Sequence, residues 1–144
     1  EYLFRYVDPT FVERVKARSG GFVVAAQNYG QGSSREHAAL CPMFFGVKAI
    51  LAQSFARIHR DNLINYAVLP LAFSDATAYD ALDPADELEI SDVRQRLEDG
   101  ATRIPVYNRT KQTTFETTLE LTDRERRIVL AGGLLRYVGK ESGQ

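Results

Sequence analysis

The sequence predicts an α/β fold: one domain built on a mixed, partly parallel sheet with flanking helices. Three observations predict it. Short apolar runs, FVVAA at 22–26, KAILAQ at 48–53 and VLPLAF at 68–73, alternate with helix-like segments, the pattern of parallel strands. Beyond residue 100, two segments of alternating side chains read as an antiparallel hairpin. A chain of 144 residues, 44% of them hydrophobic, can bury an ordinary core.

Each element has its own reason. Glu1–Val7 is rich in β-formers and stops at the turn signal Asp8-Pro9. Phe11–Arg18 predicts a short helix ending before Gly20-Gly21. Phe22–Ala26 predicts a strand buried on both faces. A loop then leads into helix signals from Ser33 and a nearly all-apolar stretch, Ala38–Phe45. A helix apolar on all sides is expected to be buried on all sides. Pro42 removes one of its ladder bonds, and Gly46 can stop it. Lys48–Gln53 predicts a second buried strand, Arg57–Tyr66 a more polar helix, and Val68–Phe73 a third strand, with Pro70 arguing for an edge position.

The second half reads differently. Asp75–Glu87, rich in Asp and Ala, predicts an exposed loop. Leu88–Ile90 predicts a short strand, and Ser91–Asp99 a helix with Ser91 as N-cap and Gly100 as stop. Thr102–Asn108 and Gln112–Leu121 predict a hairpin around Asn108–Lys111. In its second strand Phe115, Thr117, Leu119 and Leu121 share one face, and Glu116, Thr118 and Glu120 the other. Thr122 with Glu125 three residues on is a capping box for a last helix that ends at Gly132-Gly133.

Charge and composition exclude some functions. Eighteen basic and 19 acidic side chains give a net charge of −1, so no electrostatic case exists for nucleic acid or an anionic membrane. No apolar run approaches the roughly 18 residues of a membrane span, and the first residues do not resemble a signal peptide. Cys41 is the single cysteine; it allows neither an internal disulfide nor a cysteine-rich metal site, and it suits a reducing, cytoplasmic location. A start on Glu1, directly in strand-like residues, reads as an excised piece of a longer protein.

The segment Asn28-Tyr29-Gly30-Gln31-Gly32-Ser33-Ser34-Arg35-Glu36 carries the candidate chemistry. Gly30 and Gly32 allow positive φ or a close approach to a ligand. A following helix N-terminus offers free N–H groups and a positive dipole end. Arg35 adds a bidentate cation suited to a carboxylate, and Ser33 and Ser34 add two hydroxyls. Ser33-x-x-Glu36 is equally a capping box, so a structural cap and an anion site both stand. The pattern is neither a Walker A loop nor a nucleophile elbow, and it is weak evidence for a dinucleotide.

Other candidates carry less. His37 and His59 read as buried, hydrogen-bonded side chains before catalytic ones, and Cys41 as core. Two histidines and one cysteine give no metal-ligand spacing. Arg94, Arg96, Arg124, Arg126 and Arg127 read as solvated helix faces.

The ordered series Asn28–Leu40, Gly46–Ile50, Ser54–His59, Asn62–Asn65 and Leu69–Leu71 resembles the C-terminal swivel domain of aconitase over about Gly21 to Phe73. Asp86–Ile90 and Leu130–Leu135 are similar to that domain's tail. Gln53, where relatives often have Lys, and Cys41, where a small or acidic residue is usual, depart from the pattern. The resemblance implies a swivelling β/β/α domain of a hydro-lyase that interconverts citrate and isocitrate through cis-aconitate. It implies Ser33 as the base, Ser34 and Arg35 on substrate carboxylate, and Gly30 and Gly32 as loop support. It also implies a [4Fe-4S] cluster held by three cysteines of partner domains or a large subunit, since this chain has one cysteine. A further substrate-gripping arginine of the family has no counterpart here. Homoaconitase, an isopropylmalate isomerase small subunit, and a non-catalytic anion-binding or interaction module are the alternatives. Arg57 and His59 in Ser-Phe-Ala-Arg-Ile-His look more like aconitase.

Overall fold

The computed structural model describes residues 8–18, 20–32 and 37–143. Helix α1 (Phe11–Arg18) precedes strand β1 (Gly21–Ala25). Then come α2 (His37–Phe44), β2 (Val47–Ala52), α3 (Arg57–Asn65) and β3 (Leu69–Phe73). The second half adds α4 (Ala76–Asp80), β4 (Leu88–Glu89), α5 (Val93–Glu98), β5 (Arg103–Asn108), β6 (Thr113–Thr118), α6 (Asp123–Ala131) and α7 (Leu134–Ser142).

The six strands form one mixed sheet in the order β1-β2-β3-β6-β5-β4. The apolar runs form its parallel half: β1 pairs with β2, and β2 with β3, in parallel. The hairpin is its antiparallel half, β5 against β6 from Arg103↔Thr118 to Asn108↔Thr113. Two apolar clusters hold it. Val23, Ala39, Val47, Ile50, Leu63 and Val68 join β1 and β2 to α2 and α3. Ala49, Leu51, Leu69, Leu71, Leu97, Ile104, Val106 and Leu119 join the parallel strands to the hairpin and α5. Ala49 and Leu51 thus face one cluster and Ile50 the other, which explains why β2 is apolar after the exposed Lys48.

The predicted alternation in β6 holds: Thr117 and Leu119 are buried, while Glu116 and Glu120 are exposed. The capping box on α6 is complete, with Glu125 N–H donating to Thr122 Oγ1 at 3.2 Å and Thr122 N–H to Glu125 Oε2 at 2.7 Å. Gly132 ends α6 with φ 89°. The next glycine, Gly133, lets the turn press on the end of α3: a Cβ there would lie 2.8 Å from the Asn65 carbonyl oxygen.

Several expectations need correction. Pro70 lies in an interior strand, between β2 and β6. It is tolerated because β6 pairs with β3 only at Ala72 and Phe73, so Pro70 breaks no bond on that side. Strand β1 is not buried on both faces: among the described residues it ends the sheet, and Val24 is 40% exposed. Nor is α2 buried all round, since Phe44 is 80% exposed. The N-cap of α5 is Asp92, in the left-handed region at φ 55°, rather than Ser91; the Ser91 carbonyl instead accepts from Arg96 Nε at 3.0 Å. Arg126 is no solvated face: it is half-buried and donates to the Leu97 and Ala101 carbonyls, both at 3.3 Å. Strand β6 stops at Thr118, and α7 was not predicted. The 75–87 segment is mostly exposed but contains α4, capped by Asp75 accepting from Thr77 N–H at 2.9 Å. Glu1–Val7 lies outside the described residues.

Candidate functional site

Because β1 and β2 are parallel and in register at Ala25↔Ala52, the loops after them leave the same edge of the sheet. In open α/β sheets ligands bind outside these carboxyl ends. The two loops are laced together. Gln53 N–H donates to the Ala26 carbonyl at 3.2 Å, Tyr29 N–H to the Ser54 carbonyl at 3.0 Å, and Ala56 N–H to the Tyr29 carbonyl at 2.9 Å. Asn28 N–H donates to Ser54 Oγ at 2.8 Å. Tyr29 and Phe55 form an isolated parallel bridge. The glycine-loop backbone therefore continues the β1–β2 pairing past the ends of both strands.

Gly30 and Gly32 both take the positive φ expected of them, at 88° and 87°, and Gln31 N–H closes a turn on the Asn28 carbonyl at 3.0 Å. The two differ in surroundings. Among the described residues a Cβ on Gly32 would meet nothing within 4 Å, whereas one on Gly30 would stand 2.1 Å from His59 Cγ. Gly30 is thus required for close packing as well as conformation.

His59, on α3, is 2% exposed, as a packing residue should be. Its expected hydrogen bonds are not there: Nδ1 and Nε2 have no partner among the described residues, and neither has Asn62 Nδ2 one turn on. Burial pushes the His59 pKa below the usual histidine value and raises that of Tyr29 to about 12, so both rings are neutral at physiological pH. They meet edge-on with centroids 5.1 Å apart, and Phe55 packs on Tyr29 at 6.1 Å.

Ser33, Ser34, Arg35 and Glu36 lie outside the described residues, as does the His37 side chain. The chain enters their segment from Gly32 and leaves it into α2 at His37. Sequence reading overlooked Ser54 as the residue that clamps the loop. Its signal was available: Ser54-Phe55-Ala56 directly follows a strand predicted to neighbour the one before the loop. A broad depression along β1, bounded by Arg14, Phe22, Val24 and Lys48, reaches this loop at Ala26 and Tyr29 among the described residues.

The donor set does not fit a three-cysteine cluster. Cys41 is half-buried and free, and among the described residues no three His, Cys, Asp or Glu side chains converge. No helix among these residues is long and apolar enough to cross a membrane.

Comparison with known proteins agrees with this architecture. The family described as Aconitase C-terminal domain matches residues 9–76. A protein named putative aconitate hydratase, mitochondrial, from Aspergillus fumigatus is 37% identical over 126 residues, which cover 85% of this chain and 16% of that protein. The 3-isopropylmalate dehydratase small subunit 2 of Archaeoglobus fulgidus is 39% identical over 140 residues, covering 97% of this chain and 75% of that subunit. The crystal structure of 3-isopropylmalate dehydratase from Methanocaldococcus jannaschii superposes with a TM-score of 0.77 at 32% identity, covering 94% of this chain and 72% of that one. This chain therefore belongs to the aconitase C-terminal domain family, the α/β fold shared by aconitate hydratases and isopropylmalate dehydratase small subunits.

Proposed function

We propose that this chain is the swivel domain of an aconitase-type hydro-lyase, isomerising citrate to isocitrate through cis-aconitate, with Ser33 as the base. The observation that carries this reading is the glycine turn at the carboxyl end of β1, locked to the β2 loop and leading directly into Ser33-Ser34-Arg35.

The chemistry sets what these residues must do. A proton beside a carboxylate is weakly acidic, and a serine hydroxyl is too weak an acid to ionise unaided near neutral pH. Removing the proton requires the Ser33 oxygen as an alkoxide, stabilised by a cation and by oriented N–H groups away from water. Arg35 supplies the guanidinium, which also pairs with substrate carboxylate, and the N-terminus of α2 follows the segment directly in sequence. Ser34 donates to carboxylate oxygen. The rigid Tyr29–Gly32 turn holds the start of the segment, so little reorganisation is left for the reaction itself.

The cluster belongs, in this reading, to partner domains or a large subunit, and the substrates are citrate, isocitrate and cis-aconitate. The compartment is a reducing one, cytoplasmic on the evidence of the lone Cys41. A second reading has its own support: the chain covers 75% of the Archaeoglobus small subunit and superposes on an isopropylmalate dehydratase with a TM-score of 0.77, which favours a small subunit acting on isopropylmalate or a homologous acid.

The test uses the enzyme assembled with its cluster-bearing part, assayed on citrate, homocitrate and isopropylmalate. Citrate turnover, none from this domain alone, and loss of about a thousandfold or more in kcat for Ser33→Ala with citrate binding kept are expected. Near-normal turnover by Ser33→Ala rejects the base; turnover of isopropylmalate but not citrate establishes the second reading.

A further inference from the structure

His59 is carried by α3, but its ring packs against the glycine loop. A Cβ on Gly30 would lie 2.1 Å from His59 Cγ and 2.3 Å from its Cβ and Cδ2, so the loop backbone rests on that edge of the imidazole. Tyr29 meets the same ring edge-on at 5.1 Å. With neither nitrogen hydrogen-bonded among the described residues, the ring engages the loop through shape. Its mount is firm. The next residue, Arg60, pairs with Glu125 of α6 at 3.1 Å and donates to the Glu120 carbonyl, while Leu63 and Ile64 of the same helix are buried.

We propose that His59 is a positioning residue: its imidazole is the surface on which Gly30 closes, and this contact fixes the Tyr29–Gly32 turn in the conformation used for turnover. The inference rests on the functional reading above, because only then does the position of the turn enter the rate. It places the glycine at 30 and the ring at 59 on the two sides of one contact. A displaced turn would misalign the reacting groups, for which small displacements cost large factors in rate.

The experiment uses the assembled enzyme and two readouts. One is amide hydrogen exchange of the loop peptides, read without substrate; the other is steady-state kinetics on the substrate the enzyme turns over. In His59→Gln the amides of Tyr29, Gln31 and Ala56 are expected to exchange about tenfold faster. Its kcat is expected to fall by about tenfold or more, with KM within about threefold of wild type. His59→Phe, which keeps the ring and removes the nitrogens, is expected to restore both quantities to within about threefold. Wild-type exchange and kcat in His59→Gln overturn the proposal. So does a His59→Phe enzyme with a normal loop but lost kcat, since the nitrogens would then be what matters. The two ideas fail separately. Loop exchange still reports on His59 if Ser33→Ala proves active, and a normal loop in His59→Gln beside an inactive Ser33→Ala rejects the His59 contact alone.

Discussion

Gly30 and Gly32 share almost the same backbone angle and differ in what surrounds them. Alanine at Gly32 meets none of the described residues, so its expected cost is the left-handed backbone penalty, about 1–2 kcal/mol. Alanine at Gly30 adds a collision with a ring on a fixed helix, and the loss should exceed that of Gly32→Ala by about 1–3 kcal/mol. Denaturant melts of the two variants measure this, and equal losses would mean that the ring yields. From the sequence both glycines were legible as positive-φ positions, because residue type alone reports that freedom. The collision was not, because it depends on α3 bringing residue 59 under residue 30. His59 shows the same limit. Its burial follows from an amphipathic helix, but that its nitrogens have no partner among the described residues depends on how loop and helix pack.

Among elements, α6 is the best specified locally. Its capping box can be read from Thr122 and Glu125 alone and appears with both hydrogen bonds. Burial pushes the Glu125 pKa up, yet the Thr122 N–H and the Arg60 guanidinium outweigh it and hold the carboxyl below its ordinary 4.5. The sign follows. A carboxylate depressed in the folded state adds stability that is full above its unfolded value and is lost as pH falls through the folded one. Glu125→Gln should thus be less stable than wild type at neutral pH, and the gap should close as pH drops below 4.5. Thr122→Ala should cost about 1 kcal/mol. Denaturation curves across that range check both. Elements with non-local causes were harder to read. Pro70 argues for an edge by its missing N–H, and only the late start of the β3–β6 ladder at Ala72 makes an interior place acceptable. Asp92 replaces Ser91 as cap because a left-handed turn, invisible to composition, intervenes. Helix α7 follows Gly132-Gly133 so closely that the stop signal for α6 hid its start.

At the scale of the molecule, the parallel half of the sheet matters most for function, since it aligns the ends of β1 and β2 and so the loops that carry Gly30 and Ser54. That half was legible as alternating apolar runs and helices. The strand order, with the hairpin joined beyond β3 and β4 at the far edge, was not, since pairing partners distant in sequence leave no local mark. The chain spans 16% of the Aspergillus aconitate hydratase and 75% of the Archaeoglobus small subunit, and its donor set does not fit a cluster. In the proposed reading, a second body completes the cleft. The central claim is that this chain contributes the base. Its most direct test is the exchange of the substrate's carbon-bound hydrogen with deuterated solvent, measured on the assembled enzyme with Ser33 and with Ser33→Ala. The account predicts that exchange falls with turnover, by about a thousandfold or more; exchange at the wild-type rate in Ser33→Ala would contradict it.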